Sequence, residues 1–105
     1  MQESDWKIFK RIKELALERF CAAAMSDFEE AIQKDDLSNH ARYLYLYKLV
    51  ENADKRLSQL FDGHSRSKAA LQLTLIRSEG LVENHELEGM SEELLKSTEP
   101  RKKNA

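Results

Sequence analysis

The sequence predicts an all-α protein, a small bundle of three main helices followed by short C-terminal helical turns. Three observations carry that prediction. Only three glycines and one proline interrupt 105 residues, too little punctuation for a chain of short strands and tight turns. Apolar residues recur at three- and four-residue spacing through long segments, as on one side of a helix. Polar residues that start helices and glycines that stop them stand at the ends of these segments. With 41% hydrophobic and 34% charged residues, the composition is that of a folded chain and not a disordered one.

The first helix is expected from Asp5 to about Lys34, with Ser4 as its cap. Its ladder Ile8, Ile12, Ala16, Phe20, Ala24, Phe28, Ile32 advances by four residues at a time. Four residues overshoot a 3.6-residue turn, so the apolar face winds around the rod. Thirty residues at 1.5 Å each span ~45 Å, against a radius of gyration of ~13 Å for a compact domain of this size. Either the helix breaks at "MSDFEE", where Ser26 and Glu29 have capping-box spacing, or one end protrudes and invites a second subunit. The run "CAAAM" offers small side chains that permit close helix approach.

The stretch "RYLYLYKL" at 42–49 alternates tyrosine with leucine, which on its own suits a strand. On a helical wheel, however, Tyr43, Leu46, Tyr47, Leu49, Val50, Ala53, Leu57, Leu60 and Phe61 share an arc of roughly 160°. A strand cannot account for residues 50–61, so the second helix runs through the tyrosines. Ser38 or Asn39 caps it and Gly63 stops it. Tyr43 and Tyr47 then face the core, and Tyr45 points almost oppositely.

"SKAALQLTLIRSEGL" is read as a third helix from about Ser65 to Glu79, stopped by Gly80 with Leu81 beyond for a hydrophobic contact. The alternating Leu71, Leu73 and Leu75 would otherwise form a strand with no partner for its backbone groups. Its apolar residues fall on two faces, the pattern of a central helix. Short turns follow in "ENHELEG" and "SEELLKS", the latter capped by Ser91. Residues 1–98 are expected to form one domain, and 99–105 a disordered charged tail.

Charge and chemistry narrow the function by exclusion. A net charge of −2 provides no general attraction to nucleic acid or to an anionic membrane. The basic group Lys7, Lys10, Arg11, Lys13 is diluted by Glu14 and Glu18 and reads as a solvated face. No apolar run approaches the ~18 residues of a membrane span, and the N-terminal residues do not form a secretory apolar region. One cysteine, Cys21, cannot form an intramolecular disulfide, which suits a cytoplasmic setting. In mid-helix it reads as a packed thiol, not a nucleophile. His40, His64 and His85 lack metal-ligand spacing. With no glycine-rich phosphate loop and no nucleophile–base pattern, neither a metal, a cofactor nor a catalytic residue is expected.

Two groups of residues remain as candidates. Asp54 falls beside the apolar arc of the second helix, where a buried carboxylate needs a partner. Arg77, Arg66 or Lys13 would satisfy it as a salt bridge that sets helix register. Alternatively, Asp54 with Tyr43 and Tyr47 forms a polar pocket for a small ligand, in a ligand-binding domain or a small enzyme. Leu44 and Tyr45, on the charged side of the second helix, add to an apolar surplus that suggests a protein interface.

The segments "DWKIFKRIKELALERFC", "HARYLYLYKL" and "RSKAALQLTLIRSEGLVENHEL" together resemble small all-helical bacterial proteins of about this length. That resemblance implies no activity and no site residue. The functional expectation is a non-enzymatic interaction or regulatory module, a helical homodimer burying Leu44, Tyr45 and part of the first helix.

Overall fold

A computed structural model describes residues 1–100; residues 101–105, most of the expected charged tail, lie outside the described residues. The chain forms α1 (Glu3–Ile32), α2 (Asn39–Phe61) and α3 (Arg66–Ser78), a 3-10 turn at Asn84–Leu87, and α4 (Glu92–Ser97). Among the described residues there is no strand, so the alternating leucines of "LQLTL" lie on a helix.

Each helix end has a local cause. α1 starts ahead of Ser4, from Gln2, without a side-chain cap. Glu3 and Asp5 in its first turn instead complement the positive end of the helix dipole. Asp5 is 2% exposed, and it accepts hydrogen bonds from the Ser91 backbone N–H at 2.8 Å and the Ser91 hydroxyl at 2.7 Å. It therefore clasps the start of α1 to the start of α4. The Ser38 hydroxyl accepts from the Ala41 N–H at 3.1 Å and caps α2. α3 ends at Gly80 (φ +71°), where the Gly80 and Leu81 N–H groups return to the carbonyls of Arg77 and Ile76, a glycine-terminated C-cap.

Twelve residues form the core, including Phe9, Ile12 and Ala16 of α1, Leu60 of α2, Leu73 and Ile76 of α3, and Leu87, Met90 and Leu94 beyond. All sit toward the N-terminal half of α1 and the C-terminal end of α2. α3 and the segments after it cover one side of that end, which we term the root. Arg56 of α2 pairs with Glu79 at the end of α3. Arg19 forms a bidentate pair with Glu86 at 2.6 and 2.9 Å and donates to the Leu81 carbonyl. Arg77 donates to the Leu95 carbonyl and to Thr98. Gly89 (φ +91°) lies so close to α1 that a Cβ there would stand 3.2 Å from Ile8 Cδ1.

Beyond the root, α1 and α2 continue alone as an antiparallel two-helix arm. α1 is unbroken through "MSDFEE" because α2 runs alongside it and neither glycine nor proline interrupts it. The protein accordingly measures 52 × 32 × 20 Å, with a radius of gyration of 16.7 Å, above the ~13 Å of a compact domain of this length. α3 is not the central helix expected from its two apolar faces. Ala69, Leu73 and Ile76 are buried and Leu75 packs half-buried against the core, but Leu71, the other residue of the second face, is exposed.

Candidate functional site

One long side of the hairpin has no covering layer. At about 100° per residue, Leu17, Cys21, Met25, Phe28 and Ile32 of α1 fall within roughly 80° of one another and roughly opposite Ile12 and Ala16. On α2, Tyr43, Tyr47, Val50, Asp54, Leu57 and Phe61 fall within another arc of roughly 80°. Arg56, which meets α3 through Glu79, stands on the far side of that helix. Both stripes thus look away from the α3 layer and together make a single open face, except that Phe61 at the root end is buried in the core.

Three shallow grooves follow the seam between the helices along this face. The root groove, about 310 Å³, is bounded by Lys10, Lys13, Glu14, Leu17, Phe61 and His64. The middle groove, about 160 Å³, contains Cys21, Met25, Phe28, Val50, Asp54 and Leu57 among its walls. The tip groove, about 230 Å³, is formed by Ile32, Asn39, Arg42, Tyr43 and Leu46. Charges gather at the two ends. Lys13 donates to the Gly63 carbonyl at 2.7 Å, and its burial pulls its pKa below the usual lysine value. At the tip, Arg42 donates to the Ile32 carbonyl at 2.7 Å and lies 4.0 Å from Asp35.

The tyrosines depart from expectation. Tyr43 is 64% and Tyr47 58% exposed, although the wheel places them on the core side of α2. The wheel is right about the face, but the core ends before reaching them, since only α1 accompanies this half of α2. Cys21, expected to be packed, is half-buried at the wall of the middle groove.

Asp54 is exposed and takes part in no ion pair among the described residues. Its expected partners are engaged elsewhere: Arg77 with Leu95 and Thr98, Arg66 with Glu3, and Lys13 with Gly63. Asp54, Tyr43 and Tyr47 share the open face, but Tyr43 and Asp54 are eleven residues apart, about 16 Å along the helix. Asp54 belongs to the middle groove and Tyr43 to the tip groove.

Leu44 and Tyr45 are both exposed, but they do not share a surface with the grooves. Leu44 points outward from the hairpin, and Tyr45 lies on the flank away from the open face, with the Lys34 ammonium 5.7 Å above its ring. On that same flank, nearer the root, Ala23, Ala24, Asn52 and Ala53 leave a cleft of about 380 Å³ that Glu79 and Leu81 close at one end.

The residues sequence reasoning missed are Leu17, Met25, Ile32 and Val50. Their signal was present, since 17, 21, 25, 28 and 32 keep helical spacing, but it overlaps the core ladder on the same helix.

The histidines do not converge. His64 lies against Trp6 with ring centroids 5.0 Å apart, His85 is beside Glu83, and His40 is exposed near the start of α2. Among the described residues no group of three or more His, Cys, Asp or Glu side chains could hold a metal ion, and no helix is long and apolar enough to cross a membrane. No protein-family model, curated protein or solved structure matches this chain.

Proposed function

We propose that this protein is a non-enzymatic interaction module that acts as a helical homodimer in the cytoplasm, with the open face of the α1–α2 hairpin as its working surface. The observation that carries this reading is the contiguous exposure of Met25, Ile32, Tyr43, Tyr47 and Val50 on one side of the arm. Scattered exposed apolar residues need no explanation, but a continuous patch marks a contact surface. Burying it returns about 25 cal/mol per Å² of apolar area removed from water. The charged groups at the two ends would form the rim. The single, unpaired cysteine suits the reducing compartment.

Met25→Glu combined with Val50→Glu places two carboxylates in the middle of the face. The expected result is a halved mass by light scattering with unchanged helicity by circular dichroism. An unchanged mass removes this surface from consideration.

A second reading takes its support from the Asp54 carboxylate in the apolar middle groove: a small ligand held by Asp54, with Tyr43 and Tyr47 nearby. Asp54→Asn would then abolish thermal stabilisation by a ligand found in a metabolite screen. A screen that stabilises nothing ends that reading. The distance between Tyr43 and Asp54 makes it the weaker of the two.

A further inference from the structure

Two basic stretches far apart in sequence meet at the root. Between Asp5 and Glu14, α1 carries Lys7, Lys10, Arg11 and Lys13 and no carboxylate. From Gly63 to Ser78 the chain carries His64, Arg66, Lys68 and Arg77, again without a carboxylate. The fold joins them at Gly63. The Lys13 ammonium donates to the Gly63 carbonyl at 2.7 Å. A Cβ on Gly63 would stand 3.2 Å from the Lys68 Nζ, so the two lysines flank the same residue.

Positive charge is left over at this end. Arg66 is taken by Glu3, but Lys7, Lys10, Arg11, Lys13 and Lys68 take part in no ion pair among the described residues. Along the arm, by contrast, Arg42, Lys48, Lys55 and Arg56 each have a carboxylate partner. Asp62, the carboxylate that attracts Lys13, already accepts from the Ser58 hydroxyl. Glu14 is the one carboxylate on the walls of the root groove, beside Lys10, Lys13 and His64. α3 starts with no acidic residue in its first turn, so its positive end adds to the field.

We infer that the root groove binds the phosphate group of a small phosphorylated molecule, whose apolar body lies along Leu17. This site stands apart from the Met25–Val50 patch and does not depend on the pairing of two copies.

The kind of cation favours phosphate. Lysine presents a compact charge that suits a phosphate, whereas a planar carboxylate is matched better by the arginine fork. The arginine nearest at hand, Arg66, is committed to Glu3 and to the face of Trp6. Lys13 is half-buried with a neutral carbonyl as its hydrogen-bond partner, and an anion beside it offsets the cost of burying its charge. The groove's volume of about 310 Å³ stands at the small end of ligand sites, which run roughly 300–1,000 Å³. That space suits one phosphate with a single ring or a short chain.

The test titrates phenyl phosphate into the parent protein, read by amide chemical shifts and by thermal melting. Saturable shifts are expected at Lys10, Lys13, Leu17 and residues 61–68, with a raised melting midpoint. Inorganic phosphate should bind more weakly, and benzyl alcohol should not bind. Lys10→Gln, at an exposed position, should weaken phenyl phosphate about fivefold, the worth of one exposed charge pair. Lys48→Gln should change nothing. Leu17→Ser should remove the preference for phenyl phosphate over inorganic phosphate; a preference that survives overturns the placing of the apolar body. No saturable shift at the groove overturns the site, and so does equal weakening by Lys10→Gln and Lys48→Gln. If hexaglutamate or a single-stranded DNA saturates the same amides at lower concentration than phenyl phosphate, the groove serves a polymer and the small-molecule ligand is overturned.

Discussion

The root and the arm are built from the same two helices, yet they treat their apolar residues in opposite ways. In the root, Phe9, Ile12, Leu60, Leu73 and Ile76 are sealed because α3 and the C-terminal turns add a second layer. In the arm, Met25, Ile32, Tyr43 and Tyr47 have the same spacing but a single neighbouring helix, so one flank stays open. Periodicity says which side of a helix is apolar. What covers that side depends on how far the neighbouring elements extend.

The largest effect should separate the two regions directly. Leu73→Ala leaves a cavity in the root and should cost about 2–5 kcal/mol, while Met25→Ala in the arm should change monomer stability by less than about 0.5 kcal/mol. Urea unfolding at protein concentrations too low for association measures both. Equal losses would break the comparison.

Next comes the clasp that closes the root. Asp5→Ala leaves the Ser91 N–H and hydroxyl without their buried acceptor, at a cost of about 1–3 kcal/mol. Amide exchange should quicken across residues 91–98 before it does in α2. The counterpart in the arm is Ser38→Ala, which should cost about 1 kcal/mol and raise exchange at 41–43 while root amides hold. Loss of root protection in that variant would show that the arm is not separable.

Acid sharpens the contrast further. The Arg19 guanidinium, and then the Glu83 N–H, hold the Glu86 carboxyl at about 2, below the ordinary 4.5. A carboxyl whose folded pKa is depressed stabilises fully above its unfolded value and loses that contribution as pH falls through the folded one. The root should therefore weaken from about pH 4.5 down toward pH 2, and Glu86→Gln should flatten that part of a thermal-melting profile. A profile identical to the parent's would show that the Arg19–Glu86 pair does not couple to folding. The smallest effect is expected from Leu44→Glu with Tyr45→Glu, which should leave the assembled mass unchanged by light scattering, since neither residue lies on the open face.

The all-α fold, the Ser91 cap and the Gly80 stop were legible from spacing and punctuation, which act within one or two turns of chain, whereas the Ser38 cap and the protruding α1 each stood as one of two alternatives. Tyr43 and Tyr47 were not legible. Their side of α2 was readable, but their exposure follows from α3 ending at Ser78 and packing only at the root. Asp54 failed for a related reason: Arg77, Arg66 and Lys13 were plausible partners by type, and tertiary packing committed each of them elsewhere. Val50 read as a core residue because an apolar stripe facing solvent and one facing a core have identical periods.

The unbroken course of α1 and α2 from root to tip has a consequence for recognition. There is no joint at which the arm could swing, and every arm residue on the seam is held by a helix anchored in a closed core. A partner that meets the open face meets side chains on backbones already fixed, so association forfeits little chain entropy beyond the rotamers of the methionine and tyrosines. Such a surface selects by shape, as a template, and does not mould itself to what arrives.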